Sequence, residues 1–160
     1  MKDKSVSYAA EPPGAQARYG TNPAHRLLVI DDDIDVRQIC AQVLISAGYQ
    51  VDAAEDGAAG WEALHANSYD LLITDNNMPK VSGVELVKKL RSARMSLPVI
   101  LASGTIPAAA GLQLAAILLK PFSATELLGI VKKVLSATTG SAREQLHPLP
   151  SGKASGEPTA

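Results

Sequence analysis

The sequence predicts an α/β fold, a doubly wound sheet of five parallel strands with helices on both faces. Three observations carry this. Short apolar runs recur through the middle of the chain, and segments with helical spacing of apolar residues separate them. Such alternation gives parallel strands joined by right-handed helical crossovers. Two of the runs, Leu27-Leu28-Val29-Ile30 and Leu71-Leu72-Ile73-Thr74, stop at carboxylates, Asp31 and Asp75. Buried parallel strands end this way at the rim where open α/β sheets bind ligands.

Taken in order, Leu27 to Asp31 is the first predicted strand. The helix after it turns Val36, Ile39, Cys40, Val43 and Leu44 inward and ends at Gly48, a C-terminal cap. Tyr49 to Ala54 is the second strand, and the second helix spans roughly residues 57–66 with Trp61, the single tryptophan, on its inward face. Leu71 to Asp75 is the third strand. A loop leads to a third helix over 83–92, with Val84, Val87 and Leu90 inward, and Pro98 opens the fourth strand, which ends at Ser103. Ala115 to Leu119 is the fifth, followed by Lys120-Pro121-Phe122. Ser123 caps the last helix with Glu126 as capping-box partner, and Leu127, Leu128, Val131 and Leu135 face the core. Five strands and about five helices result. Residues 1–24 and 138–160 are rich in Ala, Pro, Gly and Ser and bury too little apolar surface to offset their ordering entropy, so both are expected to be disordered tails around one domain at 25–137.

The 160 residues suit one domain. A formal net charge of −1 argues against nucleic-acid binding by this chain alone, which a basic footprint would announce. No segment reaches the roughly 20 apolar residues of a membrane span, and nothing reads as a signal peptide. The single cysteine, Cys40, reads as core packing in a reducing compartment, so the expected location is cytoplasmic. The two acidic strand ends crowd carboxylates into one pocket, which repels itself without a cation and offers the hard oxygen ligands that suit Mg²⁺. Asp33 and Asp35 are read as cap and first-turn acids of the first helix.

Along the chain, the strand ends carry acid, acid, hydroxyl and lysine. In Asp31-Asp32, in Asp75-Asn76-Asn77-Met78-Pro79 followed by Gly83, in Pro98 to Ser103 and in Lys120-Pro121-Phe122, the chain resembles a response-regulator receiver domain of the chemotaxis-regulator type over residues 26–137. The resemblance implies a flavodoxin-like sheet of order 2-1-3-4-5. It implies that Asp75 accepts a phosphoryl group as an acyl phosphate. It places Mg²⁺ on Asp31, Asp32, Asp75 and the backbone carbonyl of Asn77, without saying which of Asp31 and Asp32 touches the metal directly. Lys120 would pair with Asp75 or a phosphate oxygen, and Ser103 would donate its hydroxyl to the phosphoryl group and draw the next loop inward. The donor would be a histidine kinase or a histidine phosphotransfer protein, and the recipient of the signal an unknown output protein. A cis peptide at Pro121 is expected from the resemblance alone.

Two departures stand out. Receivers commonly have a longer segment, holding a fourth helix, than the 16 residues between Ser103 and Lys120, and here that segment contains Pro107, Gly104 and Gly111. Many also place an aromatic where Ile117 stands. The expected function is a stand-alone, phosphorylated signalling switch or relay, not a turnover enzyme. The alternatives are a phosphorylation-independent adaptor and a Mg²⁺-dependent phosphatase. The latter would need an acid where Asn77 stands, and an amide cannot deliver the proton.

Overall fold

The computed structural model describes residues 5–7 and 24–144. Six strands form one sheet: β1 (Ser5–Ser7), β2 (Arg26–Ile30), β3 (Gln50–Ala54), β4 (Leu71–Asp75), β5 (Val99–Ser103) and β6 (Ala116–Leu119). Their spatial order is β1-β3-β2-β4-β5-β6. From β2 onward all pairs are parallel. These five strands reproduce the expected 2-1-3-4-5 order, with one strand added at an edge.

Helices α1 (Ile34–Ser46) and α4 (Ala124–Glu144) cover one face, α2 (Gly57–Ala66) and α3 (Gly83–Ser92) the other. The period of two along β2 makes this possible. Leu27 and Val29 enter the core under α1 and α4, whereas Leu28 and Ile30 enter the core under α2 and α3, all four essentially inaccessible to solvent. The helix starts follow from side-chain chemistry. Asp33 caps α1 by accepting from the amides of Asp35 and Val36, Ser82 and Glu85 close a capping box on α3, and Ser123 and Glu126 do the same ahead of α4. Gly48, with φ +97°, takes the left-handed conformation that ends α1.

Several expectations need correction. Ser5–Ser7 lies within the segment read as a tail, yet it pairs antiparallel with β3, Ser5 opposite Ala54. Three residues give no period to read; the unpaired backbone groups of an edge strand supply the template instead. Helix α4 continues past residue 137 to Glu144, the Thr138 and Thr139 hydroxyls bonding back to the carbonyls of Val134 and Leu135 at 3.0 Å. Extending an anchored helix requires no new nucleus. The remaining tail residues lie outside the described ones.

Among the described residues there are four helices against the rough count of five, and the one that is absent falls in the segment whose proline and glycines already set it apart. Residues 104–115 make only short turns, because Pro107 lacks an amide proton and two glycines raise the entropic cost of a helix. On α1, the expected inward residue Ile39 is 63% exposed, since Cys40, Ala41 and Leu44 make the sheet contact. On α3, Leu86 is buried and Val84 only half-buried. Among the described residues no helix is long and apolar enough to cross a membrane.

Candidate functional site

The register of the sheet gathers the predicted side chains at one rim. Ile30 stands opposite Thr74, so Asp31 and Asp75 leave adjacent strands at the same level. Asp75 pairs with Ala102 and Ser103 with Leu119, which sets Ser103 one step farther along β5 and Lys120 one step beyond Ser103, just past the end of β6.

Asp31 and Asp75 are buried, at 4% and 5% exposure, and Asp32 is exposed at the mouth. Oxygens of the three carboxylates lie within 4.8 Å of one another. Lys120 Nζ reaches both buried acids, 3.0 Å from Asp31 Oδ2 and 3.2 Å from Asp75 Oδ1. The Asp33 amide donates to Asp31 Oδ1 at 3.0 Å, and the Arg37 guanidinium donates to the Asp31 backbone carbonyl at 2.5 Å. Burial raises the pKa of Asp75, with the charge of Asp31 adding to it; Lys120 and the backbone amide of Asn77 pull the other way. For Lys120, burial alone would lower the pKa, but hydrogen bonds and charge from Asp31 and Asp75 outweigh it and the net shift is upward. The peptide bond between Lys120 and Pro121 is cis.

The turn after Asp75 is built from backbone contacts. The Asn76 amide donates to the Ala102 carbonyl at 2.9 Å, the Asn76 carbonyl accepts from Met78 and Gly83, and Asn76 Oδ1 accepts from the Val84 amide at 3.2 Å. Gly83 is required here: a Cβ on it would lie 2.5 Å from the Asp75 carbonyl oxygen and 2.7 Å from Leu101 Cδ1. Ser103 is fully buried, and its hydroxyl oxygen accepts from the Thr105 amide at 3.4 Å. Its carbonyl accepts from the Lys120 amide at 2.8 Å.

The structure therefore brings Asp31, Asp32, Asp75 and Lys120 together, with Ser103 on the next strand end and Asn77 in the adjoining turn. Sequence reasoning missed Arg37, whose partner is a backbone carbonyl and leaves no mark on residue type. The donor set fits a divalent cation. Three carboxylates against one ammonium leave two negative charges when all are ionised, on an oxygen-only cluster with an open side at Asp32.

The family described as response regulator receiver domain matches residues 27–132. The chain belongs to this family. Among its relatives, the probable transcriptional regulatory protein SilR of Salmonella typhimurium is 38% identical over 115 residues, 69% of this chain and 50% of that protein. The transcriptional regulatory protein CusR of Escherichia coli K12 is 37% identical over 115 residues, 69% and 51%. This receiver chain thus spans about half the length of the regulators it matches. The chemotaxis protein CheY4 of Vibrio cholerae superposes with a TM-score of 0.66 at 28% identity, covering 69% of this chain and 98% of that one. The response regulator TrrA of Thermotoga maritima, solved in complex with Mg(2+)-BeF, does so with a TM-score of 0.63 at 30% identity and the same coverage. Receiver domains of this family work in two-component systems with histidine kinases, are phosphorylated on aspartate and bind Mg²⁺ at an acidic pocket.

Proposed function

We propose that Asp75 is the phosphoacceptor of this receiver, supplied by a phosphohistidine of a histidine kinase or phosphotransfer protein. The observation that supports it most is the buried Asp75 carboxylate, held 3.2 Å from the Lys120 ammonium beside a second buried acid and below an exposed one. An Asp75 carboxylate oxygen attacks phosphorus, the phosphorus–nitrogen bond to the donor imidazole breaks, and the bond's electron pair leaves with the imidazole. Lys120 opposes the upward push that burial and Asp31 give the acceptor's pKa, and after transfer it pairs with a phosphoryl oxygen. Asp31, Asp32, Asp75 and the Asn77 carbonyl would hold Mg²⁺, which when bound offsets charge on the phosphoryl oxygens. Ser103 gives its hydroxyl to the phosphoryl group, releasing the Thr105 amide and so disturbing the connection that follows.

Output is by protein contact or onward phosphoryl transfer, and a net charge near zero favours protein over nucleic-acid partners for this unit. Action as a stand-alone switch is part of the proposal, tested by the mass of the protein isolated from its native source. The mass of these 160 residues supports it and that of a longer regulator overturns it. The chemistry is tested by incubation with acetyl phosphate and Mg²⁺ followed by intact mass. One phosphoryl group per chain is expected; an unmodified chain would contradict the acceptor role, and continuous phosphate release without an adduct would favour a phosphatase.

A further inference from the structure

The connection from β5 to β6 lacks a helix, yet one side chain from the far end of α3 reaches across to it. Arg91 Nη1 donates to the carbonyls of Met95 and Leu97 at 2.7 and 3.0 Å, and its Nη2 donates to the carbonyl of Gln113 at 2.6 Å. The guanidinium is half-buried, its Nε is buried without a partner among the described residues, and burial lowers its pKa. A charged planar donor spent on three backbone carbonyls holds three chain segments in one geometry.

The two halves of the connection differ accordingly. On either side of Arg91's contact at Gln113, Leu112 and Leu114 pack, partly buried, against the core under α2 and α3, and the Ala115 amide donates to the Val99 carbonyl at 2.9 Å. Before it, residues 104–111 hold no charged side chain, Ile106 is 77% exposed, and Gly111 has φ +82°, a conformation side-chain-bearing residues rarely adopt.

We propose that Arg91 is a positioning residue that clamps residues 112–115 to the end of α3, so that a rearrangement begun at Ser103 runs through 104–110 and stops at Gly111. The trigger rests on the acceptor role proposed for Asp75. The clamp rests only on the contacts of Arg91.

The test compares the full chain with Arg91→Lys and Arg91→Met, by amide hydrogen exchange and by amide NMR shifts with and without acetyl phosphate and Mg²⁺. In the unmodified protein, Arg91→Lys should lower protection of Leu114 and Ala115 by about tenfold relative to the amides of β4. Arg91→Met should do at least as much. On phosphorylation, wild-type shifts within the β5–β6 connection should be confined to residues 103–111, whereas in the variants they should spread into 112–117 with the adduct unchanged by intact mass. A purely structural role would lower protection throughout the sheet and leave that boundary where it is, which would overturn the proposal; so would wild-type shifts at 112–115 as large as those at 104–110. Should Arg91→Met not fold, Arg91→Lys alone decides. Should no adduct form on any version, the acceptor reading fails, and the exchange data on unmodified protein still judge the clamp.

Discussion

The crossovers from β4 to β5 and from β5 to β6 both leave the functional rim, and they solve the same connection problem in opposite ways. The first is fixed at every step. Asn76 takes three backbone amides through its two oxygens, Ser82 and Glu85 close a capping box, Gly83 sits against the Asp75 carbonyl where no Cβ fits, and α3 buries Leu86, Val87 and Leu90. The second begins with Gly104, where a Cβ would meet nothing within 4 Å, and runs through mostly exposed, uncharged residues to Gly111. An acceptor carboxylate needs a stationary frame, because catalysis of phosphoryl transfer is mostly positioning and electrostatics. A region that reports the transfer needs a second arrangement within reach, and such regions come from the least stable parts of a fold. On the proposed function, the molecule places the two side by side, on neighbouring strands.

The same substitution in the two crossovers is the sharpest way to break this contrast. Gly83→Ala should cost about 3 kcal/mol in urea denaturation, since backbone and a buried Leu101 block the new methyl. Gly104→Ala should stay within about 0.5 kcal/mol. Equal losses would erase the distinction. Next in size, Asp32→Ala should weaken Mg²⁺ binding by at least about tenfold, or 1.4 kcal/mol, by titration calorimetry. Binding as tight as wild type would remove Asp32 from the pocket.

The pH dependence of the metal-free protein probes the fixed side. Asp75 has a raised pKa, so the folded chain holds its proton more tightly than the unfolded one, and stability should fall as pH rises from the ordinary carboxylate value of about 3.9 through the raised one. The raised pKa of Lys120 stabilises the fold below the ordinary lysine value of about 10.4, and that contribution is lost as pH rises through the folded value. In Asp75→Asn the acidic-side slope should flatten, as denaturation midpoints against pH would show; an unchanged slope would assign it to another group. The smallest effect belongs to Ser103→Ala, which should still take up phosphate while showing reduced amide shifts over residues 103–111. Full-sized shifts would remove the hydroxyl from the switch.

What the sequence made legible is what side-chain type controls. Strands that alternate between two apolar cores read directly from Leu27 to Ile30 and from Leu71 to Thr74, and the acids closing them follow at the same level because the register is parallel. The Ser123–Glu126 capping box and the missing helix around Pro107 were equally visible. What escaped is what backbone groups control. Ser5–Ser7 pairs through an edge ladder, and Arg37 and Arg91 bind carbonyls that any residue could provide. Ile39 misled for a different reason: the apolar stripe of α1 is wider than its contact with the sheet, and the surplus lies along a groove lined by Val36, Lys120 and Phe122.

The acceptor assignment is tested most directly by locating the phosphoryl group itself. Wild type and Asp75→Asn are treated with acetyl phosphate, with and without Mg²⁺, and the modified peptide is identified by mass spectrometry before and after hydroxylamine. One hydroxylamine-labile phosphoryl group is expected on the peptide containing Asp75, present only with Mg²⁺ and absent from a normally folded Asp75→Asn. A phosphoryl group on another peptide, or one retained in Asp75→Asn, would contradict the assignment.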